Sequence, residues 1–528
     1  MKFLKIIDKR TFFPPAILLL IATCVGIFFP ETLELAANKA FEFTTKGFGW
    51  FYALGSSCFV IFCLWAGFSK YGSIRLGGKD AKPEMSFAKW FAIALTSGIA
   101  IGIVFYGVAE PLTNFTTPPI FSGLEANSPG AAEAALSYTY MHWAIHPYAI
   151  YTTAGLCLAF IYYNGKRKYQ LSSALYPLIG EKADGKFGSW INAIAIFALV
   201  GGIGTSLGIG VLQAADGINY VLGTSFESGM LYAVIIGVMV LIYVAAACTG
   251  LHKGIALVSN LNVYVYIILL VWGFLFGGTL FILNNTFTGI GQYLSIIVRE
   301  SFYLEPAYNS GWVNANTIFY YAWWITFAPM VGLFLVKLAK GRTIKEFVIV
   351  NLVAPVVFTF IWFGVFGSSA INMELLGSGG IVSDIGKYGV SVALFSYLKN
   401  LPLAPIMIIL GFAAIVFSFV TLAESQTLTI AEITCKEEML NKRKDKSAPS
   451  SVKIFWGVLM GLMAFALLQS GGLNALQTAV IVCGLPILIL MIFMAVAYVK
   501  SMIDHEKFDK TLDSQNKNEE IDKEINTL

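Results

Sequence analysis

Long apolar runs recur along the entire chain and limit what it can fold into more than any other feature of the sequence. Most runs are close to the ~20 residues that a helix needs to cross a ~30 Å hydrocarbon core. Of the 528 residues, 57% are hydrophobic and only 12% are charged, too few to cover the surface of a water-soluble protein. The sequence therefore predicts an all-α integral membrane protein of about 12 transmembrane helices.

Basic residues indicate the topology of these helices. Lys and Arg are concentrated in alternate loops, whereas the loops before residues 138 and 230 contain none. Because such residues favour the cytoplasmic side, we expect a multi-pass protein of the cell (inner) membrane with both termini cytoplasmic. The predicted spans are residues 12–29, 48–68, 90–108, 138–163, 191–214, 230–249, 257–283, 318–338, 347–366, 405–433, 454–468 and 476–499.

Three further segments differ from an ordinary span. The basic N-terminus and the run at 12–29 are similar to a signal peptide, but the run is too long and no small-x-small cleavage site follows it. Residues 287–298 are too short to span and alternate at helical spacing, which predicts a helix along the outer interface. The tail after residue 499 is polar and more acidic than basic, which is typical of a charged helix or a disordered cytoplasmic tail.

Enzyme signatures are missing from the sequence. It contains no GxxxxGK[ST] phosphate loop, no HExxH and no GxSxG, and its four histidines form no ligand set. The seven cysteines lie mostly in apolar runs without zinc-ligand spacing, so we interpret them as packing residues. No basic patch suggests nucleic acid. We expect neither catalysis, nor a cofactor, nor a bound metal.

The third span contains small residues that weaken a helix. Gly98 and Gly102 are one helical turn apart, with Ala100 between them. One interpretation is a small-xxx-small face for close helix packing. The other is an unwound stretch whose backbone groups bind a solute, which a membrane tolerates only where a cavity or the protein satisfies them.

Two spans contain aromatic residues beside a proline. These aromatics could belong to interfacial belts or to packing, but both groups lie within long spans, away from the loop ends. A set of aromatic faces attracts a quaternary ammonium by ~0.5–2 kcal/mol per ring, although that cation donates no hydrogen bond. The aromatic candidates are Trp143, Tyr148 and Tyr151 around Pro147, and Trp323, Trp324 and Phe327 before Pro329.

At these residues the chain resembles the betaine/choline/carnitine transporter family. The motif HWxxHPxxxY begins at His142, and AWWIxxxP begins at Ala322. The FYGxxEP of residues 105–111 and the GRTIKEF of residues 341–347 are also similar to the family pattern. The resemblance covers most of the chain, and the paired motifs are specific in their order and spacing.

The resemblance implies a leucine-transporter-like fold and commonly a homotrimer. It divides the chain into a cytoplasmic N-terminus (1–11), two peripheral helices (12–87), a first inverted repeat (88–284), an interfacial helix and outer loop (285–312), a second inverted repeat (313–500) and a cytoplasmic tail (501–528). A small quaternary-ammonium solute would lie near the midplane within the six aromatic residues. The backbone of Gly98, Ala100 and Gly102 would face its carboxylate end.

The resemblance also has departures that bear on the solute. Tyr148 and Phe327 stand where sodium-coupled betaine symporters of the family typically carry tryptophan, and Ala100 interrupts their Gly-x-Gly-x-Gly. Betaine, choline, carnitine and related betaines therefore all stay open as substrates.

A second group of departures concerns ion coupling. Leu422 stands where those symporters carry a serine, and Met330 replaces an aromatic residue, so both sodium sites lose an element. We expect sodium-independent exchange or proton coupling, with a sodium-coupled symporter as the alternative. Glu424 is the intramembrane carboxylate. The coupling candidates are Thr96, Ile99, Thr205, Ser206, Met330, Thr421, Leu422 and Glu424.

A function of another class also fits an aromatic-lined cavity. A channel or receptor for methylammonium ligands would have one, but a channel should also show charged or carbonyl-rich filter motifs, which the sequence does not contain. The sequence thus favours a secondary transporter over a channel.

Overall fold

The computed structural model describes residues 2–87, 90–91, 101–249, 252–443 and 447–512. Long helices and short helical segments account for nearly all of them, and two isolated antiparallel bridges join Ile7 to Cys435 and Arg75 to Thr343. The long helices are α1 (Lys9–Phe28), α2 (Pro30–Phe68), α3 (Ile101–Thr116), α4 (Pro129–Trp143), α5 (Ile145–Tyr163), α6 (Lys186–Leu222), α7 (Ser228–Thr249), α8 (His252–Phe276), α9 (Thr279–Phe302), α10 (Phe319–Ala339), α11 (Ala354–Leu375), α12 (Ala404–Ile433) and α13 (Ser450–Ile503).

Short helical segments occupy the connections. They are Lys2–Ile6, Lys70–Ser73, Ile120–Ser122, Leu171–Leu175, Tyr176–Ile179, Gly180–Asp184, Asn314–Ile318, Ile344–Val348, Ile349–Val353, Ile381–Tyr388, Val390–Val392, Ala393–Lys399, Glu437–Asn441 and His505–Phe508. Asn314–Ile318 and Ile349–Val353 are π-helical turns that lead directly into α10 and α11.

The predicted all-α membrane fold is confirmed. Ten helical stretches within the described residues are long and apolar enough to cross a membrane. One of these, α13, has 54 residues and contains non-helical backbone at Gly471 and Gly472, where φ is 172° and 56°. Its two parts are each long enough to span. The count of twelve helices and the inverted-repeat arrangement stay predictions.

Burial separates inner helices from outer ones. The stretch Pro129–Tyr163 is almost fully buried within the protein, as is most of α6, whereas α7 and α8 bury little of their surface. Outward-facing side chains on α7 are large and apolar, as at Leu241, which is 73% exposed. An apolar exterior around a buried interior is what a lipid environment requires.

Several helices begin or end away from the predicted positions; α2, for example, begins at Pro30, well before the predicted span at 48–68. The predicted span at 138–163 is two helices, because the backbone breaks at Ala144, and the first of them begins at Pro129. The predicted span at 257–283 ends earlier, at Phe276, because Gly278 adopts a φ of 92°, which favours glycine. The segment predicted at 287–298 therefore forms part of the longer helix α9. Leu280, Phe287 and Val298 lie on one exposed face of it.

The tail is packed at its start. Phe508 and Asp509 are buried, and the backbone nitrogen of Lys510 donates to the carbonyl of Asn164 over 2.9 Å. Asn164 in turn donates from its side chain to Asp509 over 2.9 Å and accepts from the backbone nitrogen of Gly77 over 2.9 Å. The first residues after α13 thus join two loops, whereas the sequence predicted a charged or disordered tail. Residues 513–528 lie outside the described part.

Candidate functional site

Pro147 shapes the break between α4 and α5. Proline has no backbone N–H, so the carbonyl of Trp143, four residues earlier, cannot form the usual helical hydrogen bond. That carbonyl instead accepts from the hydroxyl of Thr359 on α11 over 3.1 Å. The neighbouring carbonyl of His142 accepts from the indole nitrogen of Trp324 on α10 over 2.8 Å. These two hydrogen bonds join the end of α4 to α11 and α10.

An aromatic cluster forms where these helices meet. Trp143 lies edge-on to Trp324, with ring centroids 4.8 Å apart, and edge-on to Trp323 at 6.1 Å. Trp323 and Trp324 stack at 5.0 Å. Tyr106 from α3 and Tyr320 from α10 lie within 5.9 Å of members of this group. We call these five residues (Tyr106, Trp143, Tyr320, Trp323 and Trp324) the aromatic cluster; all are buried.

The remaining predicted aromatics lie at different distances from this cluster. Tyr151 contacts Trp324 at 6.3 Å, and Tyr148 contacts Tyr151 at 6.4 Å. The Tyr148 hydroxyl also lies 3.3 Å from that of Thr359. Phe327 is buried, but it packs towards Gly202 of α6 and has no ring contact with the cluster. The structure therefore brings together five of the six predicted aromatic residues.

Gly102 provides the close backbone approach. A methyl group added at its Cα would lie 2.7 Å from the Trp323 ring and 3.1 Å from the Trp143 ring, closer than side chains tolerate. The backbone of α3 can therefore touch both indoles only because this residue has no side chain. The other predicted residues of this span, Thr96, Gly98, Ile99 and Ala100, lie outside the described residues.

The prediction from sequence missed several residues of the site. Tyr320 is three residues from Trp323 and four from Trp324, and that helical spacing could have placed it on their face. Phe363 of α11 lies 5.0 Å from Trp143. Glu110 is the only charged residue in the sequence of α3 and binds the indole of Trp143. An intramembrane carboxylate is a functional candidate by default, so this signal was present in the FYGxxEP motif.

Comparisons with known proteins show the family of this chain. A family model described as "BCCT, betaine/carnitine/choline family transporter" matches residues 10–507. The chain belongs to the betaine/carnitine/choline transporter family. Members of this family are transporters and not enzymes, and the predicted resemblance is thereby confirmed.

Individual relatives extend over nearly the same length. The chain is 38% identical over 483 residues to a probable glycine betaine transporter of Desulfitobacterium hafniense, covering 90% of this chain and 94% of that protein. It is 37% identical over 479 residues to the glycine betaine transporter OpuD of Bacillus subtilis, covering 90% and 91%. An ectoine/hydroxyectoine transporter of Virgibacillus pantothenticus is 34% identical over 503 residues, covering 95% and 98%.

Two predicted coupling hydroxyls of this family member lie on α6. The hydroxyl of Thr205 donates to the carbonyl of Leu476 over 2.8 Å. That of Ser206 accepts from the indole nitrogen of Trp323 over 3.0 Å, which connects α6 to the aromatic cluster. Both residues are buried.

The other coupling candidates lie on α10 and α12. The hydroxyl of Thr421 donates to the carbonyl of Phe417, one turn earlier, over 2.7 Å, and Leu422 beside it is partly buried. Met330 is buried on α10, directly after Pro329. Among the described residues, no group of three His, Cys, Asp or Glu side chains is placed to hold a metal ion.

Glu424 is buried on α12, one turn beyond Thr421. The buried Lys453 of α13 acts on it electrostatically. The ammonium of Lys453 also donates to the carbonyl of Ala247 over 3.0 Å, near the C-terminal end of α7, where a helix is partially negative. Lys453 is thus stabilised by a carbonyl and a helix end, as a buried charge requires.

Proposed function

We propose that this chain is a secondary transporter that moves a quaternary-ammonium solute across the membrane by alternating access. The solutes with the best chemical fit are glycine betaine, choline, carnitine and related betaines. The observation that carries this proposal is the buried aromatic cluster, in which three indoles from α4 and α10 pack together and two of them, Trp143 and Trp323, meet the side-chain-free backbone of Gly102. Such faces attract a methylated ammonium through the ring quadrupole and replace its weak hydration.

The names of the relatives support the betaine class in particular. Two of them are named glycine betaine transporters and one an ectoine/hydroxyectoine transporter. Within the proposed site, Tyr148 and Tyr151 extend the aromatic surface beyond Trp324, and Phe327 would line the site from the side of α6 without a ring contact to the cluster. Backbone groups at Gly98, Ala100 and Gly102 would bind the carboxylate end of a betaine.

We further propose that coupling does not depend on sodium. A sodium site needs several hard oxygen ligands, and Leu422 and Met330 offer none. Thr421 and Thr205 donate their hydroxyl protons to carbonyls, which leaves their oxygen lone pairs free. The hydroxyls of Thr205 and Ser206 can therefore still supply one weak cation site, but not the two sites of the sodium-coupled symporters. Exchange of one solute for another, or proton coupling through Glu424, requires no such ion site.

Localisation and assembly complete the proposal. The protein would lie in the cell (inner) membrane with both termini in the cytoplasm. It would work as a homotrimer, as the family resemblance implies. The alternation of basic loops supports the orientation.

Uptake into proteoliposomes tests the proposed function. Purified protein is reconstituted and supplied with radiolabelled glycine betaine, choline or carnitine, with and without imposed ion or solute gradients. A transporter concentrates at least one of them against its gradient when a driving force is applied. A channel only equilibrates the solute, and a receptor binds it without uptake, so either result would overturn the proposal.

A further inference from the structure

Glu110 places a buried carboxylate directly behind the aromatic cluster. It lies near the middle of α3, with 4% of its surface exposed. Its Oε1 is 2.6 Å from Nδ1 of His142, and its Oε2 is 2.5 Å from Nε1 of Trp143. Both oxygens therefore bind consecutive residues at the end of α4.

The chemistry of the side chains determines which atoms donate and which accept in this group. An indole nitrogen can only donate, so Oε2 of Glu110 accepts from Trp143. With its proton on Nδ1, a neutral His142 would donate to Oε1, and its Nε2, 3.1 Å from the hydroxyl of Thr317, would accept from that hydroxyl. Every polar side-chain atom of the set then has a partner, and the negative charge of the carboxylate is uncompensated as long as His142 is neutral.

Other ionisable groups near this carboxylate are phenols and one imidazole. Tyr320 interacts with it and stacks on His142, with ring centroids 4.7 Å apart. Tyr106 lies one turn earlier on α3. His146, one turn beyond His142, is bound by the hydroxyl of Ser301. Apart from His142 itself, which would form an ion pair with Glu110 if it were protonated, the described contacts include no basic side chain beside this carboxylate.

A charge in this position acts on the cluster through Trp143. A hydrogen bond from the indole N–H to an anion polarises the ring and makes its face more negative, and the low-dielectric interior leaves the field poorly screened. The same ring lies edge-on to Trp324 and close to Gly102. A cation held against these faces would therefore experience the carboxylate without touching it.

We propose that Glu110 is a specificity-determining positioning residue that makes the aromatic cluster select a positively charged head group over a neutral group of the same shape. This inference rests on the proposed function, because it requires a solute at the cluster. The proposed role of Glu110 is electrostatic. It differs from a purely structural role, in which Glu110 would only join α3 to α4.

Binding of two solutes with the same shape but different charge distinguishes the electrostatic role from the structural one. Choline carries a trimethylammonium group, and 3,3-dimethylbutan-1-ol carries the neutral tert-butyl group of the same size. Their binding is titrated at one pH on purified wild type and on Glu110→Gln, which keeps an oxygen acceptor for Trp143 and removes the charge. The control is Glu305→Gln, another buried carboxylate, whose hydrogen-bond partners Ser310 and Val313 lie outside the aromatic cluster.

Choline binding to Glu110→Gln should weaken by about three- to thirtyfold, the range of a cation–π contribution. Binding of the neutral analogue, measured directly or by displacement of choline, should not change, and Glu305→Gln should leave both affinities at the wild-type value. Equal weakening of both solutes by Glu110→Gln would assign it a structural role only. Unchanged binding of both would remove it from the site. Either result overturns the inference.

A second variant keeps the test decisive if Glu110→Gln does not fold. Glu110→Asp retains the charge on a shorter side chain and should preserve the preference for choline even where it lowers both affinities. Loss of that preference in a folded Glu110→Asp protein would contradict the inference. If wild type binds no methylammonium solute, the proposed function itself fails, which is a separate result.

Discussion

The indole nitrogen of Trp324 donates to the carbonyl oxygen of His142 over 2.8 Å. This bond joins α10 to the end of α4 at the backbone break that precedes Pro147. It places the two aromatic motifs of the sequence in direct contact and fixes the orientation of a ring that we propose to face the solute.

Replacing Trp324 by alanine should weaken solute binding by about 1–3 kcal/mol, through the lost cation–π attraction and the lost apolar contact. Calorimetric titration of the folded variant with glycine betaine and choline measures this. Trp272→Ala is the matched control, since this tryptophan of α8 donates to the carbonyl of Pro402 and lies outside the aromatic cluster. Unchanged affinity of Trp324→Ala for every methylammonium solute tried would remove Trp324 from the site.

The aromatic pairing could be predicted from sequence because it depends on local spacing. Trp323 and Trp324 are adjacent in one helix, and Trp143 and Tyr151 lie close in sequence on either side of the break at Ala144, so each motif keeps its rings near one another. Phe327 lies one turn beyond Trp323, and the same reasoning placed it in the group. Its ring lies beside Gly202 of α6 and has no ring contact with the cluster, and its place in the solute site stays a prediction.

Features that depend on a distant partner could not be predicted. The break at Ala144 persists because Thr359 and Trp324 supply donors to the carbonyls of Trp143 and His142, and no local pattern identifies those donors. The pairing of Glu110 with residues of α4 likewise requires knowing how the helices pack. Helix propensities and hydropathy carry no information about either.

Glu424→Gln should abolish any dependence of uptake on a proton gradient, because the amide cannot take up or release a proton at this position. Glu424→Asp should retain the dependence, since the carboxyl group is kept. Uptake of labelled solute into proteoliposomes, measured across a series of external pH values at fixed internal pH, compares the three proteins. Normal transport by Glu424→Gln with the wild-type pH profile would exclude Glu424 from proton coupling.

Asp509 should stabilise the packed start of the tail at neutral pH. Burial raises its pKa, but hydrogen bonds from His505, Thr511 and Asn164 outweigh burial and hold the pKa below the usual value. A carboxyl whose pKa is lowered on folding contributes stability above its unfolded value of about 3.9, and loses that contribution as pH falls through the folded value.

Hydrogen exchange measures this effect on residues 505–512. At pH 7, Asp509→Asn should exchange faster there than wild type, by about five- to a hundredfold for a loss of ~1–3 kcal/mol. The difference should shrink as pH falls below about 4, where the wild-type carboxyl is protonated too. Identical exchange in the two proteins at pH 7 would show that Asp509 does not hold this segment.

Exchange without sodium tests the central claim most directly. Proteoliposomes are loaded with unlabelled glycine betaine, and labelled glycine betaine is added outside, with equal potassium on both sides and no sodium. We predict that label enters only when internal solute is present, and that Trp324→Ala reduces this entry while Trp272→Ala does not. A strict requirement for an inward sodium gradient would contradict the proposed coupling, and absence of betaine, choline or carnitine transport under every gradient would contradict the account as a whole.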